Sequence, residues 1–467
     1  MRAQEKPLFH LTIHEAQKPI QSGALSPVEL TRAVLNRIEA VDGQLHAYLN
    51  VMTESALEEA RRAEAEILHG HYRGPLHGIP VAVKDQRDVK GAPAAIRAIR
   101  EKGSRDPELS EDSTVVHKLR QAGAVILGKL VMSGLPGEPP QACNPWNTGH
   151  ITGGSSTGAG AAVAAGLCMG AIGEDTAGSI RNPASLCGIV GLKPTYGRVS
   201  RYGLAPLCWS LDHCGPMTWV VEDAAHVLQA VAGHDPKDPT SGRAPVPEYA
   251  AALREDAKGL VVGVPRHYIQ ECRARTDPEI LALVEKAVGE LESLGARVEE
   301  VTLPTLKLAT VANAVIYYNE YFTAHKREVP TLLKNAAPSR RARLYFGILT
   351  GAADYIQAQR VRSRVKREFA EVFRKVDLLA LPGQPEPAPT VEESSPLDVL
   401  YRHLAPDFLA PFNLAGLPAI SVPCGFARAN LPVALQLVGK PFDELTVLRG
   451  AYTYQQHARW YERRPPI

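Results

Sequence analysis

The segment TGGSSTGAGAAVAAG, residues 152–166, constrains the fold more than any other part of the chain. A glycine-rich turn with two adjacent serines leads into a helix made almost entirely of Ala and Gly. Such a helix has no large apolar stripe and no charged face. It belongs where neighbours approach its backbone closely, packed inside a core of sheet and helices. A glycine-rich turn at a helix start can also cradle phosphate. This one lacks both the G-K-[ST] ending of a P-loop and the G-x-G-x-x-G order of a dinucleotide fingerprint, so nucleotide binding is not its reading.

The surrounding sequence supplies the sheet. IPVAVKD (79–85) has the short, β-branched character of a buried strand, and STVVHKLRQAG (113–123) reads as a helix feeding a second strand, AVILGKL (124–130). Further strand and helix units follow at 259–266, 277–294, 376–383 and 419–426. The alternation predicts βαβ units and a largely parallel core sheet. The first seventy residues read as helices, with a capping box at Thr12 and Glu15 and a cap at Ser26-Pro27-Val28-Glu29. The predicted organisation is one compact unit, an N-terminal helical segment at 1–70 packed on a core of residues 71–467. The Pro-rich patch 381–396 is a surface loop, and the basic residues of 360–377 form a solvated helix face.

Lys and Arg number 52 against 50 acidic residues, a net charge of +2, so no global field draws in nucleic acid or acidic membranes. Seven cysteines without a C-x-x-C pair read as reduced thiols. No apolar signal core opens the chain and no uncharged run reaches the ~20 residues of a membrane span, so the expectation is a cytoplasmic protein.

Chemistry concentrates at three places. Lys84 ends an otherwise apolar strand, where burial disfavours the cation and favours a neutral amine. Ser155 and Ser156 sit in the glycine-rich turn. Ser179 follows the short residues Thr176, Ala177 and Gly178 and precedes Arg181 and Pro183, the mark of a hydroxyl presented at a corner just before a helix. No histidine stands in a recognisable triad context, and His69, His71 and His77 read as a solvated cluster. A neutral lysine working through a second serine can replace the histidine.

Three segments, GIPVAVKD, GGSSTGAGAAVAAG and EDTAGSIRNPASLCGIVGLKPTYGRVS, together resemble the amidase signature family. Ser155 and Ser179 are 24 residues apart, the separation of that family's two catalytic serines. The resemblance runs from about Ser26 to the C-terminus and includes NPWN, FNLAGLPAISVPCGF and LPVALQLVGKPFDE. It implies an α/β fold with a large, mixed, twisted central sheet covered by helices on both faces. It further implies Ser179 as nucleophile, Ser155 as bridging serine on a cis peptide, and Lys84 as base. The backbone N–H groups of Thr176, Ala177, Gly178 and Ser179 would form the oxyanion hole, with Ser156, Asp175 and Arg181 in support. No metal and no cofactor are implied.

The chain departs from the family at several positions. Ala177 and Thr157 replace glycines, which would store strain if either needed a positive φ. GKLVM stands for the common GKTNM, and 86–105 replaces a Thr- and Gly-rich loop. These changes predict an apolar substrate pocket lined by Leu130, Val131, Met132, Leu135 and Pro136 and bordered by 92–100. The expected activity is hydrolysis of aryl or alkyl amides and anilides, extending to carbamates and esters, through an acyl-enzyme. The expected partner is a small-molecule substrate, with no nucleic acid, no membrane, and a homodimer as the compatible assembly. The alternative is the glutaminase subunit of a tRNA-dependent amidotransferase, to which GLKPTYGRVSRYGL is close. Against it, the acidic residue with which such subunits hold glutamine is displaced, with Pro406 at the aligned position beside Asp407. A scaffold on an inactive amidase fold is disfavoured because Lys84, Ser155 and Ser179 are all present.

Overall fold

A computed structural model describes residues 6–93, 109–133, 141–335, 338–394 and 405–467. Its strands are β1 (Tyr48–Val51), β2 (Pro80–Lys84), β3 (Val125–Leu130), β4 (Cys143–Asn144), β5 (Asn147–Ile151), β6 (Gly170–Asp175), β7 (Val190–Lys193), β8 (His213–Thr218), β9 (Val261–Val264), β10 (Arg297–Glu300), β11 (Leu378–Pro382), β12 (Ala419–Ala427) and β13 (Leu431–Gly439). Eleven of them form one central sheet in the order β1-β3-β2-β6-β8-β7-β12-β13-β11-β9-β10, while β4 and β5 make a separate two-stranded ribbon.

The sheet is mixed rather than largely parallel. Parallel pairing is confined to β3-β2-β6 on one flank and β11-β9-β10 on the other. The strands between them pair antiparallel. Between β12 and β13 only Arg428–Asn430 intervene, too short for the crossover that a parallel pair requires. Strand-like sequence alone did not carry that information.

Alternation along each strand sends side chains to two separate layers. In β2, Val81 and Val83 join one core cluster while Ala82 joins another. In β11, Leu378 and Ala380 face one layer, and Leu379 and Leu381 the opposite one. One layer holds α1 (Ile13–Gln21), α4 (Thr114–Gln121) and α7 (Val221–Val231); the other, over the β2 end, holds α2 (Pro27–Leu45), α3 (Thr53–Leu68) and α5 (Thr157–Ala165). Over the β11 end the second layer is a helical cap that includes Ala309–Ala324 and Ala352–Val372.

The N-terminal caps form as the sequence predicts: the Thr12 hydroxyl accepts from Glu15 N–H in a full capping box, and Ser26 accepts from Val28 and Glu29. The first seventy residues are not all helical, however. β1 lies among them and pairs with β3. His77 is buried and paired with Glu66 at 3.1 Å, so it is not part of a solvated cluster.

Every residue of α5 is buried. A Cβ on Gly158 would lie 2.2 Å from the Ala47 carbonyl oxygen, whereas one on Gly43 in α2 would meet nothing within 4 Å. Gly158→Ala is therefore expected to destabilise by ~1–3 kcal/mol, while Gly43→Ala gains ~0.5–1 kcal/mol from helix propensity. Urea unfolding of the two variants beside the parent checks this.

Candidate active site

β2 carries Lys84 to its C-terminal end, where the side chain is fully buried. Its Nζ donates to Ser155 Oγ at 2.8 Å. The Gly154–Ser155 peptide is cis. The turn around it is clamped on two sides. Gly154 N–H donates to Asn182 Oδ1 at 3.0 Å, and Ser133 N–H donates to the Ser155 carbonyl at 3.2 Å. Gly153 has φ +79°, and a Cβ there would lie 2.3 Å from Asn182 Oδ1, so the position needs glycine on both counts.

Ser179 lies between the end of β6 and α6 (Arg181–Cys187), only partly exposed. Its carbonyl accepts from Ser156 N–H at 3.3 Å, which joins the two serine-bearing loops. Ser156 Oγ donates to the Glu174 carbonyl at 3.2 Å. Lys84, Ser155, Ser156 and Ser179 thus meet at one corner of the sheet.

The Ser179 turn is built around the Asp175 carboxylate. It accepts from the backbone N–H groups of Gly178 (2.7 Å) and Ile180 (3.1 Å), from Arg181 Nε (3.1 Å) and from Asn413 Nδ2 (2.8 Å). Arg181 continues outward to Gln436 Oε1 at 2.6 Å and to the Leu409 carbonyl at 3.1 Å. Asp175 and Arg181 are both fully buried, and the guanidinium holds the Asp175 carboxyl well below the usual carboxylate range against the effect of burial.

This geometry changes the oxyanion expectation at one position. The Gly178 N–H is already engaged by Asp175, which removes one of the four amides from that expectation. Gly178 has φ +118°, and a Cβ there would press on Leu409 at 2.6 Å. Neither Ala177 nor Thr157 has a positive φ, so the two replacements of family glycines carry no backbone strain.

Burial pulls the Lys84 ammonium down from its ordinary range to about 8, opposed by the carboxylates of Glu174, Asp175 and Asp212. Glu174 is itself paired with buried Arg87, and Asp85 with buried Lys129 at 3.2 Å. Thr176 Oγ1 donates to Asp212 Oδ1 at 2.7 Å, which ties the Ser179 turn to the 201–212 loop. A cavity of about 260 Å³ opens on that loop, lined by Arg201, Trp209, Asp212, Lys237 and Asp238 among others.

The residues expected to line an aliphatic pocket are buried where the structure describes them. Leu130 is fully buried in the core beneath α5, and the Val131 backbone is occupied by Ala47, Thr157 and Gly158. Met132 is 6% exposed. Leu135, Pro136 and most of 92–100 lie outside the described residues. Sequence reading also missed Asn182, Asn413 and Gln436. A single glutamine inside the apolar run LPVALQLVG was the available signal for Gln436.

A family model for amidases matches residues 29–448. The chain belongs to the amidase family. It is an amidase-family enzyme acting on carbon–nitrogen bonds, on the fold of the amidase signature enzymes. It is 42% identical to a glutamyl-tRNA(Gln) amidotransferase subunit of Moorella thermoacetica, over 98% of this chain and 99% of that one. Among solved structures, that of a vestigial protein complex bearing on the origins of an s-triazine catabolic enzyme superposes with a TM-score of 0.87 at 31% identity, covering 96% of this chain and 98% of that one. The corresponding amidotransferase subunit of Thermotoga maritima gives 0.79 at 32% identity, covering 97% and 96%.

The amidotransferase relatives overturn the expectation of a small-molecule substrate with no nucleic acid and a homodimer as the assembly. They are named as subunits of an assembly that acts on a tRNA. Net charge reports the long-range field of one chain and is silent about contacts made through other subunits.

Arg181→Met should leave the Asp175 carboxylate buried without its cation and cost ~3–5 kcal/mol of stability. Guanidinium unfolding checks it, and a change below ~1 kcal/mol would contradict the dependence of this turn on that ion pair.

Proposed function

We propose that this chain is the glutamine-hydrolysing subunit of a tRNA-dependent amidotransferase. The observation that carries the reading is the end-to-end match, at 42% identity, to a glutamyl-tRNA(Gln) amidotransferase subunit. The Lys84 Nζ–Ser155 Oγ hydrogen bond supports a base relay within it.

In this reading neutral Lys84 draws a proton from Ser155, which draws one from Ser179. Ser179 Oγ attacks the side-chain amide carbon of glutamine. The amides of Thr176, Ala177 and Ser179 stabilise the oxyanion, an interaction worth ~3 kcal/mol per donor in comparable sites. The proton returns through the serines to the departing nitrogen, ammonia leaves, and water hydrolyses the glutamyl ester. The released ammonia serves amidation of glutamyl-tRNA on a partner protein, and a cytoplasmic location follows from that role. Glutamine is a zwitterion, and the cavity beside Asp212 offers Arg201 and Lys237 together with Asp238. A second reading, a hydrolase of other amides, is favoured by the superposition on the s-triazine-related structure and by Pro406 at the displaced acidic position.

The experiment compares kcat/KM for glutamine, a 4-nitroanilide and an aryl carbamate, with ammonia detected directly. Preference for glutamine, abolished by Ser179→Ala, is expected. A clear preference for the anilide or carbamate would overturn the amidotransferase reading and select the second one.

The rate should also follow Lys84. With the amine at about 8, roughly one molecule in ten is neutral at pH 7, so kcat/KM should rise about tenfold per pH unit below 8 and level off above it. A flat profile across that range would remove Lys84 as the base.

A further inference from the structure

Glu222 and His226 stand four residues apart on α7, which places their side chains on one helix face. His14, the second residue of α1, reaches them from across the interface. One ligand atom from each of the three lies within 4.8 Å of the other two. His14 Nδ1 is 2.7 Å from Glu222 Oε1. The Nε2 of His226 is shielded from solvent and pairs with nothing among the described residues. A shielded polar atom without a partner is uncommon and costs free energy.

We propose that His14, Glu222 and His226 bind one divalent cation of the zinc class at the α1–α7 junction. Two imidazoles and one carboxylate suit Zn²⁺, Co²⁺ or Ni²⁺, whereas Mg²⁺ and Ca²⁺ favour oxygen ligands alone. Tetrahedral zinc with bonds of ~2.0–2.1 Å spaces its ligands by about 3.3 Å, so the His14–Glu222 pair at 2.7 Å opens slightly and any ligand atoms still as far apart as 4.8 Å close on one another. Gln17 Nε2, 3.1 Å from the same His14 nitrogen, gives way when the metal binds. The His14 side chain is 44% exposed, which leaves one side of the site open for water as fourth ligand.

The backbone beneath the site is already fixed. The Asp223 carboxylate accepts from the N–H groups of Ile13 and His14, both at 2.9 Å, so the first turn of α1 is tied to the residue next to Glu222. The ligands are therefore held in register before any cation arrives, and binding requires side-chain adjustment rather than helix movement. The cation would staple the N-terminal segment to the layer that holds α7. It takes no part in the Lys84–Ser155–Ser179 chemistry.

The test uses the full chain stripped with chelator and titrated with zinc chloride by calorimetry, with thermal unfolding followed in parallel. One zinc per chain and a rise in Tm of several degrees are expected. Both should be lost in His226→Ala, and zinc affinity should fall at least tenfold in Glu222→Gln, whose folding is checked by circular dichroism. Cobalt should give a visible absorption band that disappears in His14→Gln. The chain holds other histidines and seven cysteines. Zinc binding that persists unchanged in all three variants, absence of stoichiometric binding, or an equal rise in Tm with magnesium would each overturn the assignment.

Discussion

The corner that holds Lys84, Ser155 and Ser179 depends on one buried carboxylate. Asp175 ends a core strand and gathers N–H donors from the turn that follows it, from Arg181 and from Asn413. A tight turn made of short residues has little side-chain packing to hold its shape, so a charged acceptor at its centre holds it instead. An unpaired carboxylate at such a depth would take a proton; here the Arg181 guanidinium keeps it ionised, and Asn413 and Gln436 fix both partners. The same network reaches the Leu409 carbonyl, so a segment 228 residues away in sequence is bound to the Ser179 turn.

A second constraint is the depth of Lys84. Its strand lies between two others in a sheet covered on both faces, which strips water from the ammonium while three carboxylates nearby limit the effect. The balance leaves the amine titrating close to neutrality. Its nearest hydrogen-bond acceptor is a serine hydroxyl, a group able to pass a proton on.

Legibility in the sequence followed the range of the interactions. Caps at Thr12 and Ser26 involve neighbours three residues away, and both were readable. The buried Ala/Gly helix and the apolar setting of Lys84 were readable because composition alone dictates burial. Strand direction was not, since a strand's residues report burial and not which neighbour it pairs with; the β12–β13 hairpin shows the consequence. β1 escaped notice because four half-buried residues between two helices make no strong period. Leu130 and Val131 were recognisably apolar, but only the folded structure tells that both are buried. Asn413 and Gln436 were hidden for the opposite reason: their partners lie more than two hundred residues away.

The position of β1 has one more consequence. It is the outermost strand on its side, and its neighbour β3 pairs on its other side with β2, which bears Lys84. If the first fifty residues were removed, β3 would become a bare sheet margin with a row of unanswered peptide groups one strand away from Lys84. Such margins recruit other chains. The short N-terminal strand therefore moves that margin one strand outward, so that β3 is paired on both sides and Lys84 lies two strands in from the edge.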